Sequence, residues 1–373
     1  MKEKRNNRRT VLILSNIAFG LYIARKELIT RLIQMDSKVI AVTPFDTYVD
    51  KLQEIGCEYI NLEFNRRGKN VFNDIGILLR YVQLIKETAP DVVLTYTIKP
   101  NVYGGLACRL ARIPYLANIT GLGTTIENPG VLQFIALSLY KVGLKKASCV
   151  FFQNAPNRKF FSERILSKSC HSRTIPGSGV NLSEHIYEPY PSEANGVVFL
   201  FVGRIMKDKG IEELFSAAEM IKKKYSNTKF RIIGECDEDY SERINELEKN
   251  GVIEQLGFQK DVHSYMRDSH CVILPSYHEG TSNVLLESAA CGRPVIATRV
   301  TGCSETFDDG ITGFGCDVKS AESLVEAVER FLRQSPEEHE AMGKAGRAKM
   351  EREYDRQIVV DAYMDEIEKT KVK

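Results

Sequence analysis

Short apolar runs alternate with longer segments of helical spacing along most of the chain. In the first half, the apolar runs lie at 10–15, 39–43, 58–62, 91–96, 115–119 and 149–153. They end near glycine, proline or asparagine residues, as expected of buried strands. A turn is predicted at 16–20, and helices are predicted at 21–34, 71–87, 101–111, 131–144 and 155–166. Such alternation predicts a parallel sheet with helices on both faces.

A stretch rich in Pro, Gly and Ser at 175–191 interrupts this series and indicates a domain boundary. A second series follows, with strands predicted at 197–202, 230–233, 271–274 and 294–297 and helices at 211–225, 242–250, 283–291, 324–332, 336–354 and 356–370. We therefore predict two α/β domains of similar build, one over residues 1–180 and one over residues 181–354.

The segment 279–287 (EGTSNVLLE) joins a predicted strand to a predicted helix, which Ser282 or Asn283 would cap. The backbone N–H groups at a helix start favour an anion. Glu279 lies in the loop before the helix, and Glu287 lies about one turn into it, with its side chain leaning toward the helix start. An anion site between two carboxylates suits a ligand with a phosphate end and a polyol end, such as a nucleotide sugar.

Charge is unevenly distributed although the whole chain carries only +2. Residues 1–180 hold 26 Lys and Arg against 13 Asp and Glu, whereas residues 181–373 hold 25 against 36. Different partners are thus expected for the two halves. The basic half suits an anionic membrane, a pyrophosphate or a nucleic acid, although a merely solvated basic surface is an open alternative.

The composition is typical of a soluble globular protein, with 43% apolar and 27% charged residues. The nine cysteines are scattered without a Cys-x-x-Cys pair, which favours a reducing compartment over a disulfide or zinc framework. The apolar run at 11–14 is too short for a signal peptide, and no run approaches the roughly 20 apolar residues that span a bilayer. A cytoplasmic protein, either soluble or at a membrane surface, is predicted.

Several linked motifs resemble those of a known family. The segments 203–210 (GRIMKDKG), 279–287 and 290–297 (ACGRPVIA) are followed by Gly302, Glu305, Gly310 and Gly313. In this order they resemble the retaining nucleotide-sugar glycosyltransferases of family 4. The resemblance implies the GT-B fold, in which two Rossmann-like doubly wound domains face each other across a cleft. It also implies that a tail helix at 355–373 packs back on the N-terminal domain.

The resemblance assigns the sugar donor to the C-terminal domain. Arg204 and Lys209 are expected to stabilise the charge that develops on the leaving diphosphate. Glu279 would face the transferred sugar, either as a nucleophile or as an electrostatic support, and Glu287 would accept from the ribose hydroxyls. The remaining predicted donor contacts are Gly203, Gly234, Phe258, Ser282, Asn283 and Val284. Phe258 is either a contact to the base or a core aromatic residue.

The N-terminal half is less diagnostic. The segments 97–101 (TIKPN) and 120–124 (TGLGT) resemble enzymes that build glycans on undecaprenyl diphosphate, including alpha-1,3-N-acetylgalactosaminyltransferases. Many family members carry a histidine in this domain, but all six histidines here lie at or after His171. The predicted acceptor contacts are Asn16, Gly20, Lys99, Thr120 and Gly121. The segment 66–69 (RRGK) either binds an acceptor phosphate or is a solvated loop.

No cofactor or metal ion is expected. The dinucleotide fingerprint G-x-G-x-x-G is absent after the first strand, and residues 121–123 match it only partly. Asp237 and Asp239 form an Asp-x-Asp pattern, which binds metal in the other glycosyltransferase fold, but its context here does not support that role. The nearly all-apolar segment 131–140, followed by Lys141, Lys145 and Lys146, either enters a membrane interface or forms a buried helix.

We therefore predict a retaining glycosyltransferase that moves a hexose or N-acetylhexosamine from a UDP-sugar to a lipid-diphosphate-linked glycan. Its predicted partners are the nucleotide sugar, the lipid-linked acceptor and an anionic membrane surface, with no nucleic acid. It would lie on the inner face of the cytoplasmic membrane. The first alternative is a hydrolysing UDP-sugar 2-epimerase, which would need acidic and histidine side chains around the sugar from both domains, whereas the first 170 residues contain no histidine. The second is a non-catalytic binding protein, which would leave Glu279, Glu287, Arg204 and Lys209 without a role.

Overall fold

A computed structural model describes residues 8–63, 71–121 and 130–370. The chain divides into two compact units. Unit 1 comprises Met1–Ser178 and Gln357–Lys373, and unit 2 comprises Gly179–Arg356. These limits lie within two residues of the predicted domain limits, and the C-terminal segment belongs to unit 1.

Unit 1 contains a parallel sheet of seven strands in the order β3-β2-β1-β4-β5-β6-β7. The strands are β1 Thr10–Leu14, β2 Lys38–Thr43, β3 Glu58–Asn61, β4 Val92–Tyr96, β5 Tyr115–Ile119, β6 Cys149–Phe152 and β7 Ser172–Thr174. The helices are α1 Ala18–Gln34, α2 Val49–Glu54, α3 Val71–Thr88, α4 Gly105–Ala111, α5 Val131–Leu144 and α6 Ala155–Arg164. A wider helical turn, Pro100–Gly104, precedes α4.

Both faces of this sheet are buried, as the continuous apolar strands predict. Val11 and Ile13 of β1 point into one core, whereas Leu12 and Leu14 point into another on the opposite face. The tail helix packs on the first of these faces, where the Tyr363 ring stacks on Phe151 with centroids 4.3 Å apart. The C-terminal segment thus completes the core of unit 1.

Unit 2 contains a parallel sheet of six strands in the order β10-β9-β8-β11-β12-β13. The strands are β8 Val197–Val202, β9 Thr228–Ile233, β10 Ile253–Gln255, β11 Cys271–Leu274, β12 Val295–Thr298 and β13 Gly313–Cys316. The helices are α7 Ile211–Lys224, α8 Ser241–Lys249, α9 His263–Arg267, α10 Asn283–Ala290, α11 Ala321–Leu332 and α12 Pro336–Lys349, and the tail helix of unit 1 is α13 Arg356–Lys369.

Each sheet has a switch point where the strand order reverses, between β1 and β4 in unit 1 and between β8 and β11 in unit 2. Ligands of doubly wound sheets bind beyond the carboxyl ends of the strands at such points. The predicted parallel α/β architecture is therefore confirmed in both units. Among the described residues, no helix combines the length and apolar character needed to cross a bilayer.

The predicted secondary structure was wrong in some places. The short elements β7, β10, β13, α2 and α9 were missed, because three to six residues carry too little periodicity to be recognised. The turn predicted at 16–20 is shorter, since α1 already begins at Ala18. There the Asp46 carboxylate accepts hydrogen bonds from the N–H groups of Ala18 (2.9 Å) and Phe19 (3.0 Å) and so caps the helix from a distant loop.

Candidate active site

The loop after β8 is held against the loop after β11. A short turn at Lys207–Lys209 ends at Gly210, whose φ is +70°. The N–H of Tyr277 donates to the Asp208 carbonyl at 2.9 Å. A Cβ on Gly210 would lie 2.1 Å from the Pro275 carbonyl oxygen. Glycine is therefore needed at this position, because only a residue without a side chain lets the two loops approach each other.

This close approach brings Lys209 and Glu279 together. The Lys209 ammonium forms an ion pair with Glu279 Oε1, and the Ser276 hydroxyl donates to the same oxygen at 2.9 Å. Both charged side chains are largely buried, with 22% and 16% of their surfaces exposed. Two of the predicted catalytic residues thus meet at the carboxyl ends of adjacent strands. Ser276 was missed, because nothing in the sequence distinguishes it from other loop serines.

Helix α10 begins next to this pair. Ser282 is its N-cap and accepts from the N–H of Leu285, which decides between the two predicted caps. The N–H of Ser282 donates to the Gly302 carbonyl at 2.9 Å. A Cβ on Gly302, whose φ is +87°, would lie 2.4 Å from the Glu279 carbonyl oxygen. Glu305 accepts from the Gly302 N–H at 2.7 Å, so the loop after β12 fixes the Glu279 loop.

The first turn of α10 carries the other predicted phosphate contacts. The first N–H groups of any helix have no acceptor within the helix, so those of Asn283 and Val284 are available to an anion. Within the described part of the chain, Asn283 Oδ1 is buried without a hydrogen-bond partner. Val284 packs its side chain on a small apolar cluster that includes Leu200 and Ile233. The helix start therefore combines a partly buried apolar side chain with backbone N–H groups that a ligand can use.

Glu287 lies one turn further along α10. Its side chain is 23% exposed, and His185 Nε2 lies 4.0 Å from its Oε1. Burial raises the pKa of Glu287 from 4.5 to about 7, while Arg356 lowers it and Glu184 raises it by smaller amounts. The carboxylate is therefore poorly solvated, and a ligand that donates hydrogen bonds would stabilise its charged form.

Arg204 does not join the Lys209–Glu279 pair. Its Nη1 donates to Asp237 Oδ2 at 2.7 Å, and its side chain is 56% exposed. The neighbouring acids are also engaged, because Glu238 accepts from the Lys207 N–H at 2.9 Å and Asp239 accepts from the Ser241 N–H at 3.2 Å. The Asp-x-Asp segment thus supports its own loop and positions Arg204.

Three further predicted donor residues, Gly203, Gly234 and Phe258, lie at the same edge of the sheet. A Cβ on Gly234, whose φ is +150°, would lie 1.8 Å from the Gly203 carbonyl oxygen, so the backbones after β8 and β9 approach closely. The Gly234 N–H donates to Gly257 at 2.9 Å, next to Phe258. Phe258 is 65% exposed, so the alternative of a core aromatic residue is wrong.

The predicted acceptor residues of unit 1 also share one edge. Asn16 follows β1, Lys99 follows β4, and Thr120 and Gly121 follow β5, and these three strands are neighbours. Gly20 lies in the first turn of α1, where a Cβ would lie 3.1 Å from the Ile17 side chain. The segments 66–69 and 122–124 lie outside the described residues.

Lys99 is already engaged in an ion pair. Its Nζ donates to Asp74 Oδ1 at 2.9 Å, and the Tyr103 hydroxyl donates to Asp74 Oδ2 at 2.8 Å. Thr97, just before it, has a left-handed φ of +71°, which is rare for a β-branched residue. The loop after β4 is thus held in a specific conformation next to the switch point of unit 1.

Helix α5 exposes an apolar surface. Tyr140, Gly143 and Leu144 are buried, but the apolar residues on its other faces are exposed: Val131, Leu132, Phe134, Ile135, Leu139 and Val142. Lys141, Lys145 and Lys146 are exposed at its C-terminal end. The alternative of a buried helix is therefore wrong for most of its surface.

Comparisons with known proteins agree with this arrangement. The family model described as "Glycosyl transferase 4-like" matches residues 11–154, and the model described as "Glycosyl transferases group 1" matches residues 184–349. A Methanocaldococcus jannaschii protein named as a glycosyltransferase is 32% identical over 75% of this chain and 72% of its own length.

Two further proteins are similar over almost the whole chain. The N,N'-diacetylbacillosaminyl-diphospho-undecaprenol alpha-1,3-N-acetylgalactosaminyltransferase of Campylobacter jejuni is 27% identical over 94% of this chain and 96% of its own length. The Anabaena protein HepE, solved in complex with UDP and glucose, covers 97% of this chain and 100% of its own with a TM-score of 0.80 at 17% identity. The two family models match consecutive parts of the chain, one in each unit. The chain therefore belongs to the group 1 glycosyltransferases, with two Rossmann-like domains of the GT-B class.

Proposed function

We propose that the enzyme transfers a hexose or N-acetylhexosamine from a UDP-sugar, with retention of anomeric configuration, to a lipid-diphosphate-linked glycan during surface polysaccharide synthesis. The observation that carries this proposal is the Lys209–Glu279 ion pair beside the start of α10. The UDP bound to the Anabaena neighbour supports the choice of nucleotide, and the diphospho-undecaprenol sugar in the name of the Campylobacter relative supports the choice of acceptor.

The donor diphosphate would lie at the start of α10, against the N–H groups of Asn283 and Val284. As the bond between the anomeric carbon and the diphosphate breaks, negative charge grows on the leaving oxygen. Lys209, shared between Glu279 and the phosphate, stabilises that charge in a site from which much of the water is excluded. Arg204 contacts the same phosphates after it releases its ion pair with Asp237.

The acceptor hydroxyl attacks the anomeric carbon on the face that the diphosphate leaves. A new carbon–oxygen bond forms there, and the hydroxyl proton passes to the leaving phosphate oxygen, so the configuration is retained. Glu279, held by Lys209 and Ser276, supports the positive charge on the sugar ring. Glu287 accepts from the ribose hydroxyls. Asn16, Gly20, Lys99, Thr120 and Gly121 contact the acceptor at the edge of the sheet in unit 1.

The first test compares Glu279→Gln with Arg204→Ala. The glutamine keeps the shape but not the charge, so we expect the transfer rate to fall about 100-fold or more while UDP affinity is retained. Loss of a charge-assisted phosphate contact in Arg204→Ala should instead weaken UDP binding about tenfold or more. Calorimetry with UDP and a transfer assay on an undecaprenyl-diphosphate-linked sugar measure the two effects, and proton NMR of the product reports the anomer.

Near-normal turnover by Glu279→Gln would remove the role assigned to this carboxylate. Unchanged UDP affinity of Arg204→Ala would place the phosphates elsewhere, and an inverted product would overturn the retaining mechanism.

We further propose that transfer requires no metal ion, because Arg204 and Lys209 supply the positive charge that a metal would otherwise bring to the diphosphate. The Asp237 and Asp239 carboxylates have protein partners instead. Activity measured in excess EDTA is expected to match activity without it. A requirement for added Mg²⁺ or Mn²⁺ would contradict this proposal.

We also propose that the enzyme binds peripherally to the inner face of the cytoplasmic membrane through α5. Val131 and Phe134 expose 76% and 72% of their surfaces, and an apolar surface of this kind favours the acyl boundary of a bilayer. The exposed lysines at 141, 145 and 146 suit anionic head groups. Docking there would bring unit 1 close to a lipid-linked acceptor.

A further inference from the structure

Three metal-binding side chains converge in unit 2, although they are far apart in sequence. His185 lies in the segment after β7, His263 is the first residue of α9, and Cys291 directly follows α10. The ligand atoms of the three residues all lie within 4.8 Å of one another, and Cys291 Sγ lies 3.4 Å from His263 Nδ1. Cys291 is fully buried and both histidines are partly buried.

A carboxylate orients one of these histidines. Glu188 Oε1 lies 3.1 Å from His263 Nε2. The ionised carboxylate only accepts hydrogen bonds, so it holds a proton on Nε2 and leaves the Nδ1 lone pair directed at Cys291. The same arrangement, in which a carboxylate orients a histidine whose other nitrogen binds metal, is common around protein metal ions.

The backbone around the cluster is fixed by two arginines. Arg293 is fully buried and donates to the carbonyls of Glu188 (2.9 Å) and Cys291 (3.2 Å), and also to the Met266 carbonyl on α9 at 3.2 Å. Arg347 donates to the carbonyls of His185 (2.8 Å) and Ala290 (3.0 Å). The three segments are therefore held together by hydrogen bonds that use none of the ligand atoms.

A second cluster, in unit 1, is less suitable. Cys149, His171 and Glu366 also lie close together. Glu366, however, already forms ion pairs with Arg173 at 3.2 Å and Lys369 at 2.7 Å. These cations occupy the carboxylate and repel a metal ion, so this cluster is an ionic contact between the tail helix and the sheet.

We propose that His185, His263 and Cys291 bind one Zn²⁺ ion, with water in the fourth position. Two imidazoles and a thiolate suit zinc, whose tetrahedral ligand atoms lie about 3.3–3.8 Å apart. The pair of Cys291 and His263 already has this spacing, and His185 completes the set by a small inward movement. The Cys291 thiol proton passes to solvent as the zinc–sulfur bond forms.

The zinc ion has no part in sugar transfer and joins three segments of unit 2. One of them is the end of α10, the helix that carries Glu287, whose Oε1 lies 4.0 Å from His185 Nε2. Binding only to the folded state raises thermal stability by mass action. The site stands independently of the proposed function, since it is read out by metal binding rather than by turnover.

Cobalt titration of the metal-free full chain tests the proposal, because Co²⁺ reports both thiolate ligation and tetrahedral geometry in its absorption spectrum. We expect one Co²⁺ per chain, with a thiolate-to-metal charge-transfer band that Zn²⁺ removes. Cys291→Ser should abolish that band. Glu188→Gln, which keeps all three ligands, should weaken binding about 10- to 100-fold. Cys236→Ser, which removes an exposed cysteine outside both clusters, should leave the titration unchanged.

The proposal fails if no charge-transfer band appears, or if the band persists in Cys291→Ser. A band lost in Cys149→Ser but kept in Cys291→Ser would assign the metal to unit 1 and equally overturn it. If Cys291→Ser does not fold, His185→Gln replaces it, with a tenfold or greater loss of affinity expected. Zn²⁺ should also raise the melting temperature of the wild type, and the same Zn²⁺ concentration should raise that of His185→Gln by less, because the variant binds the ion more weakly.

Discussion

At the scale of single residues, Glu287 shows how the burial of a carboxyl group lowers stability. Its carboxyl group is mostly buried, and the pKa of about 7 reflects the poor solvation of its charge. The folded protein therefore binds a proton here that the unfolded chain, with a pKa near 4.5, releases at lower pH. Under the proposed function, hydrogen bonds from the ribose hydroxyls would offset this penalty on the charged form when the donor binds.

The sign of this effect predicts a pH dependence. Between pH 4.5 and pH 7 the folded state binds more protons than the unfolded state, so the free energy of unfolding falls as the pH rises through this window. Glu287→Gln removes the titrating group. The free energy of unfolding of this variant, relative to that of the wild type, should therefore rise by at most about 3 kcal/mol from pH 4 to pH 8. Urea denaturation at both pH values in metal-free buffer measures the gain. Glu326→Gln, at an exposed position on α11, is the control and should show little change.

At the scale of elements, the candidate active site depends on loops whose backbones come into contact at glycine residues. Gly302 brings the loop after β12 against the Glu279 backbone, and Gly210 brings the loop after β8 against the Pro275 backbone. Both have positive φ, so a side chain there would be strained as well as obstructed. These contacts, together with the hydrogen-bonded pairing of β8 with β11, align Lys209, Glu279 and the start of α10.

Replacing Gly302 with alanine separates these two costs when it is compared with a second glycine. Gly251 has a φ of +65° but no neighbour within 4 Å of its would-be Cβ. Gly251→Ala should therefore cost only about 1–2 kcal/mol, for the backbone conformation, and keep transfer activity. Gly302→Ala should cost more and lose most activity, because the Glu279 loop must move. Thermal melts and transfer rates measure both effects, and equal behaviour of the two variants would contradict the assigned contact.

At the scale of the whole molecule, two units with the same order of inner strands carry different surfaces. The basic half of the sequence includes α5, with its exposed apolar face and terminal lysines, whereas the acidic half carries the ion pair of the candidate donor site. The tail helix returns to unit 1, where the Asn118 amide donates to the Tyr363 hydroxyl at 2.6 Å. Each unit thus has its own core and its own candidate ligand surface.

Membrane binding by α5 is expected to depend on both its apolar and its basic groups. The double variant Val131→Ser, Phe134→Ser should greatly reduce cosedimentation with vesicles that contain anionic lipid, while UDP affinity is kept. Wild-type binding should weaken as salt is raised, because the lysines act through screened charges. Ile311→Ser, which changes a 62% exposed apolar residue in unit 2, is the control. Unchanged binding by the double variant would exclude α5 as the docking surface.

The local pattern of the sequence was enough to predict much of the fold of this protein. Apolar periodicity predicted the alternating strands and helices, because the repeat of two or 3.6 residues is a property of each segment by itself. The motifs placed Lys209 and Glu279 in strand-to-helix loops and Glu287 one turn into the following helix of the same domain, and they left Ser282 and Asn283 as the two candidates for its cap. The short strands β7, β10 and β13 were not predicted, because pairing with neighbouring strands stabilises them and their own sequence shows too little periodicity.

Only the tertiary structure decided which groups meet. The pairing of Lys209 with Glu279 and of Arg204 with Asp237 depends on which strands are neighbours, and the pairing of Lys99 with Asp74 depends on how α3 packs beside the loop after β4. The capping of α1 by Asp46, the exposure of α5 and the convergence of His185, His263 and Cys291 depend on it as well. The physical reason is that hydrogen bonds, ion pairs and burial act over a few ångströms in space, whatever the separation along the chain.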